Sequence, residues 1–375
     1  MKHIYAVIFF VFLTFCQLLS QSDSTYSRVS FEMDYRFRVE HDWDSRNSDG
    51  TFRQDRSRLR YRIRTGASYA HKNYSFGLRI RTGQLNKQQD PQLTLGKGLQ
   101  EFGTLPIGFE KAYFQYNKSD FRFWIGKNTY PFKKNNELFW SDNVFPEGIS
   151  IDKTFNIEQG VLKAINLTGG HFIINSSDNS FLNDAYLQGL QTNVISRNKH
   201  VELSSALYLL RNIPNIPDGS HSFLLDYSIL HFRAKYTFKK ISIDADYYNN
   251  LTNYDDNNNI EQDFTDQRTG YTCGVQYGDT KSTNNWMLRL TYARLQRYSI
   301  LDYMAQNDWA RWDYSSFNSP DGRLSNLQGA EAVVAYAISK KITLVTKYYH
   351  VDQLIPFGNE KETGQRIRFD INVKI

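Results

Sequence analysis

Cysteine is nearly absent: the 375 residues contain two, Cys16 and Cys273. If the N-terminal leader is removed, Cys273 remains alone. No intramolecular disulfide can then stabilise the fold, despite the oxidising compartment that export implies. Long apolar runs are also missing. The longest stretches from Ile4 to Phe15, too short for a membrane-spanning helix of about 20 residues. It follows Lys2 and leads into Leu18, Leu19 and Ser20, the layout of a secretory signal peptide cleaved near Ser20 or Gln21. A lipoprotein leader fits less well, because Phe15 stands where a small residue should precede Cys16.

Catalytic signatures are lacking too. The chain has no G-x-S-x-G, H-E-x-x-H or C-x-x-C motif. Gly96-Lys97-Gly98 lacks the remainder of a phosphate-binding loop. The eight histidines, among them His41, His71, His200 and His221, are scattered, and none pairs with another at metal-ligand spacing. Asp255, Asp256, Asn257 and Asn259 offer loop oxygens, but Ile260 stands where a calcium loop needs glycine. The reading is therefore no enzyme, no cofactor and no metal. A formal charge of +6 is modest for this length and does not suggest a nucleic-acid binder.

What is present is alternation. From Arg56 to Thr65 the chain reads RSRLRYRIRT, with arginine at Arg56, Arg58, Arg60, Arg62 and Arg64 and Leu59, Tyr61 and Ile63 between them. A helix cannot separate these residues into two faces, but a strand does. About 16 such segments follow one another, from Arg28–Glu40 to Gly364–Ile375. Mean hydropathy is low, −0.57, although 40% of residues are apolar. The 25 tyrosines and 26 phenylalanines suit strands and interfacial girdles. Short connections such as Lys118–Ser119 and Phe238–Lys239 alternate with long ones such as Gln84–Gly108 and Arg297–Ser325. A soluble sandwich has no cause to sort loop length by parity, whereas an outer-membrane barrel does. The closing RIRFDINVKI alternates Ile367, Phe369, Ile371, Val373 and Ile375 with Arg366, Arg368, Asp370, Asn372 and Lys374. A chain ending within such a strand resembles the C-terminal signal of outer-membrane proteins, although Phe or Trp is the commoner last residue. The expected fold is all-β: a transmembrane antiparallel β-barrel of about 16 strands (16–18), with residues 1–20 as signal peptide and 21–375 as one domain.

Pairing the first two strands as a hairpin sets Glu40 near Arg56, Asp34 near Arg62 and Glu32 near Arg64. Arg36 and Arg38 then oppose Arg58 and Arg60. Arg79 and Arg81 extend the same inner face. Either a salt-bridge ladder in a wet interior or an anion-attracting track would use these residues; rows of arginine bias a pore toward anions. The third long connection, near 128–148, carries Glu137, Asp142 and Glu147 beside Phe139, Trp140 and Phe145. It suits an inward-folded constriction loop formed by Glu137, Trp140, Asp142 and Glu147 and facing the basic wall.

The IGKNTYPF segment, the following ELFWSDNVFPEGISI, and the RLRYRIRTG, GLRIRTG and EKAYFQY strands resemble porins of Bacteroidetes-type bacteria. That family is similar in layout to phosphate-selective outer-membrane porins. The matching residues are Gly126, Lys127, Pro131, Phe132, Trp140, Asp142, Pro146, Glu147 and Gly148; Ser141-Asp142-Asn143 departs where a second acid is expected. The resemblance implies a passive channel in the bacterial outer membrane. Its expected partners are outer-membrane lipids and small anionic solutes, and it would work as a monomer or homotrimer. Two alternatives are a lipid-acting barrel enzyme, for which no convincing Ser/His pair is present, and a non-conducting barrel that binds partners through its long loops. For the latter, Tyr298, Tyr303, Trp309, Trp312, Tyr314 and Phe317 in Arg297–Ser325 form the best candidate surface, although the same aromatics suit a girdle or a packed loop.

Overall fold

The computed structural model describes residues 27–86, 88–96, 104–214, 223–310, 312 and 325–375. The expected signal peptide, His221, Tyr314, Phe317 and the Lys97-Gly98 pair lie outside them.

The strands are β1 (Ser27–Trp43), β2 (Arg56–His71), β3 (Tyr74–Thr82), the two-residue β4 (Leu93–Thr94), β5 (Ile107–Lys118), β6 (Phe121–Lys127), β7 (Glu147–Asn156), β8 (Leu162–Asn175) and β9 (Ala185–Ser196). They continue with β10 (Val201–Pro214), β11 (Leu224–Phe238), β12 (Ile241–Asn250), β13 (Thr269–Gly278), β14 (Trp286–Leu295), β15 (Leu327–Ala337), β16 (Ile342–Gln353) and β17 (Thr363–Lys374). Each wall strand pairs antiparallel with its neighbours, and β17 returns to β1, from Asp34 opposite Lys374 to Trp43 opposite Gln365. Ile375 and Met33 exchange backbone hydrogen bonds at 2.9 and 3.1 Å. The result is a closed barrel of sixteen strands. Closure removes the sheet edge, whose unpaired amides would each cost several kcal/mol (on the order of 2–7) in hydrocarbon. No described helix is long and apolar enough to span a membrane; the strands do the crossing.

All sixteen expected strands are present; the first, expected over Arg28–Glu40, spans Ser27–Trp43, and the last, expected over Gly364–Ile375, spans Thr363–Lys374. Gly169 and Gly170 lie inside continuous β8. The additional β4 comes from the second long connection. β3 pairs with β2 only as far as Arg81 opposite Arg64, and β4 continues that line with Thr94 opposite Arg60.

Alternation explains the two faces. Phe31, Leu59, Phe76, Phe109, Leu190 and Phe232 point outward and are exposed, as lipid-facing side chains should be. Aromatic clusters such as Tyr74–Phe114–Tyr116 and Trp286–Tyr336 sit near the short-turn end. Several hairpins at that end turn through two residues with φ near +52° at Lys72, Ser119 and Lys239, a geometry that matches strand twist.

Candidate functional site

The hairpin of β1 and β2 has a register two residues away from the expected one. Glu40 faces Arg58, Asp34 faces Arg64, Arg36 faces Arg62 and Arg38 faces Arg60. The cause is that β1 continues to Trp43, so Asp42 takes the place opposite Arg56. The inward face is unchanged, because a shift of two preserves parity. Side chains lean along the strands, so Asp34 still pairs with Arg62, whereas Glu40 pairs with Arg58 directly opposite it and not with Arg56. Glu32 faces Gly66 and reaches Arg79 at 3.6 Å instead of Arg64.

Almost every arginine of this wall has a carboxylate partner. Arg38 holds Asp370 of β17 with two bonds of 2.6 and 2.9 Å. Arg366, also on β17, bonds Asp42 at 2.5 Å. Arg64 and Arg79 both reach Glu110 of β5 at 2.7 Å, and Arg81 approaches it at 3.9 Å. Arg36 donates to Asn372 at 2.6 Å. The salt-bridge ladder is thus real, and it uses β17 and β5 as well as the expected β1.

Three connections fold inward. The segment between β3 and β5 brings Asp90 to Arg60. The segment between β14 and β15 brings Asp308 to Arg368, and the backbone carbonyls of Asn307 and Asp308 accept from Arg366 at 3.2 and 2.8 Å. Burial alone would raise the Asp308 carboxyl, but Arg368, Arg38 and Arg366 outweigh it and hold it well below the usual carboxylate range. Tyr298 and Trp309 of this connection are buried, together with Trp312, and Tyr303 packs against the same core. Tyr298, Trp309 and Trp312 form packed loop core, with Tyr303 partly buried against it.

The third inserted segment joins β6 to β7. Its root is a pair of opposed glycines, Gly126 and Gly148, both at positive φ. A Cβ on Gly126 would lie 2.4 Å from the Ala112 carbonyl, and one on Gly148 2.1 Å from that of His171. Lys127 and Glu147 close this root at 2.5 Å. From there Tyr130 and Trp140 stack at 4.5 Å, and the Phe132 ring occupies the space that a Cβ on inward-facing Gly189 would need. Phe139 stacks on Tyr248 at 5.2 Å and Tyr208 at 4.9 Å. Asn136 donates to Asp246 and Thr272, while Asp246 bonds His231 at 2.8 Å. The inserted segments also bind one another: Gln306 donates to the Glu137 carbonyl at 3.0 Å, and Ser141 to that of Met304 at 2.7 Å.

Between the arginine wall and these segments lies a cavity of about 880 Å³. Arg36, Arg38, Arg58, Arg60, Arg62 and Arg64 border it, with Glu137 and Asp142 on the loop side. Arg79 and Arg81 do not; Glu110 draws them aside. Trp140 is buried among loop aromatics and Glu147 sits at the loop root, so neither faces the cavity. The lining runs from Lys340 and Lys341 at the short-turn end to Arg53 and Trp312 among the long connections. It contains thirteen cationic side chains against six carboxylates.

Sequence reasoning missed Lys340, Lys341, Lys374, Arg366 and Arg368 as lining residues. The inward parity of the last strand was the available signal for three of them. It also missed Asp90 and Asp308, which only tertiary contacts bring to the lumen, and His231, for which inward parity on β11 was the available signal. No described group of three His, Cys, Asp or Glu side chains is arranged to hold a metal ion.

A closed sixteen-strand barrel with apolar exterior, charged lumen and inserted loops defines an outer-membrane porin. The chain matches the family model described as "Putative porin" over residues 35–225 and belongs to that family, whose place is the bacterial outer membrane. Solved structures with the same fold include a triple mutant of the Rhodopseudomonas blastica porin (11% identity, TM-score 0.52, 93% of this chain and 100% of the other). OprB of Pseudomonas putida is similar at 12% identity and a TM-score of 0.53 over 92% of this chain and 94% of its own. A loop-deleted OmpT of Vibrio cholerae gives 8% and 0.52, covering 93% of this chain and all of the other. No curated protein matches the chain.

Proposed function

We propose that this porin passes small anionic solutes by passive diffusion through a cationic lumen, with no catalytic step. The observation that carries the reading is the lining excess of cations over carboxylates in a cavity reaching from the short-turn rim to the long connections. Lys340, Lys341 and Lys374, at the short-turn end, make no ion pair among the described residues. They would give that mouth a field that concentrates anions. Paired arginines contribute less field, because their partners cancel much of it. The segment near 128–148 acts as the constriction loop: its aromatics fill one side of the lumen, and Glu137 and Asp142 face the basic side. Residues 1–20 act as the signal peptide, and the barrel works as a monomer or homotrimer in contact with outer-membrane lipids.

Planar-bilayer recording of refolded protein in a salt gradient tests this. Stable conductance with a reversal potential shifted toward anions is expected. A cation-directed shift would refute the selectivity, and absence of conductance would refute the channel. N-terminal sequencing of the exported protein tests the cleavage position.

A further inference from the structure

Asp308, like Asp90, differs from the strand carboxylates of the arginine wall. Asp34, Glu40, Asp42 and Asp370 belong to the strands and cannot leave it. Asp308 belongs to a connection and enters the wall from inside the lumen.

Its surroundings are three guanidinium groups. Arg368 is in direct contact with its carboxylate, Arg38 lies at 3.8 Å and Arg366 at 3.9 Å. Two of them have partners of their own: Arg38 is held by Asp370 and Arg366 by Asp42. Arg368 is not provided for in this way. Its nearest strand carboxylate, Asp370, is 3.8 Å away, its Nε has no hydrogen-bond partner, and the residue is only 5% exposed. A buried guanidinium in that position requires an anion nearby, and a guanidinium fork fits a carboxylate. The anion present is supplied by the chain itself. Beside it, Arg366 accommodates two carbonyl oxygens of the same segment, and the cavity next to it has room for a small solute.

We propose that Arg38, Arg366 and Arg368 form a binding site for small organic carboxylates, and that Asp308 is its tethered occupant, which a solute must displace. A tethered competitor weakens apparent affinity through its local concentration without touching the solute. The site is stereochemically specific, whereas the lysines at the mouth act through field alone. This inference rests on the anion-passing reading for its physiological use, but the site itself can be tested without conductance.

The test is equilibrium binding of radiolabelled succinate to refolded full-length protein in detergent, with folding checked by heat-modifiable migration. Asp308→Asn should bind succinate about tenfold more tightly than wild type, and Asp308→Glu should stay near wild type. Adding Arg368→Gln to Asp308→Asn should remove the gain. Equal or weaker binding by Asp308→Asn, or a gain that survives loss of Arg368, overturns the proposal. Should the double variant fail to fold, the comparison of Asn with Glu at 308 decides alone. A barrel that binds succinate as expected yet conducts cations would retain the site and refute the selectivity reading.

Discussion

Along β8 to β12 the lumen-facing positions hold Phe172, Leu187, Tyr208, His231 and Tyr248, all buried. Along β17, β1 and β2 the same parity holds Arg366, Arg368, Asp370, Arg38, Glu40, Asp42, Arg60 and Arg62. One barrel thus has two interiors. The aromatic side takes the β6–β7 connection as a packed core, because rings bury apolar area at roughly 25 cal/mol per Å². The arginine side cannot exclude water in this way: charged groups are stable there only when paired or hydrated. The cavity consequently lies against the arginines. The position of the lumen follows from which wall can be dried.

The largest effect should come from breaking the aromatic side. Phe139→Ala removes a ring stacked on Tyr208 and Tyr248 and should destabilise the docked connection by about 3–5 kcal/mol. Higher and noisier single-channel conductance should appear, with the barrel still closed. Unchanged conductance would show that this connection does not limit the pore.

Next is the arginine side. Arg60 and Arg62 are buried beside Asp90 and Asp34, so glutamate there would bury like charges at a cost of several kcal/mol, about 3–5. Glutamine is the better probe of selectivity. Arg60→Gln with Arg62→Gln should move the anion/cation permeability ratio severalfold toward cations, read from reversal potentials. No movement would make these residues structural only.

A smaller change is expected from the mouth. Lys340→Gln with Lys341→Gln should lower anion preference at low salt, and the difference from wild type should fade at high salt, because exposed charges are screened beyond a Debye length of about 10 Å at 0.1 M. A difference independent of salt would contradict a field effect.

The smallest is a pH effect. The Asp308 carboxyl is held below its usual range despite burial, by Arg368, Arg38 and Arg366. A depressed folded value means that its stabilising contribution is complete above the unfolded value, about pH 3.9, and is lost as pH falls toward the folded one. Wild-type succinate binding should therefore show no step attributable to this residue between about pH 5 and 8. A rise in affinity on acidification in that range, absent from Asp308→Asn, would disprove it.

The sequence by itself determined the barrel. Side-chain period, loop parity and a terminal inward-polar strand each report a local property of consecutive residues, so sixteen strands were legible along the chain, and their inward face most plainly in Arg56–Arg64 and Arg366–Lys374. In the β6–β7 connection the aromatics Phe139 and Trp140 were visible in the sequence, but the opposition of Gly126 and Gly148 at its root was not. Register was not determined, since parity is identical for shifts of two, and the continuation of β1 to Trp43 settled it. Only the tertiary structure could seat Asp308 among Arg38, Arg366 and Arg368, or draw Arg79 and Arg81 to Glu110. The Asp308–Arg38 contact joins distant parts of the chain and depends on barrel closure between β1 and β17, which places the first and last strands side by side, whereas Arg79 and Arg81 meet Glu110 across neighbouring β3 and β5.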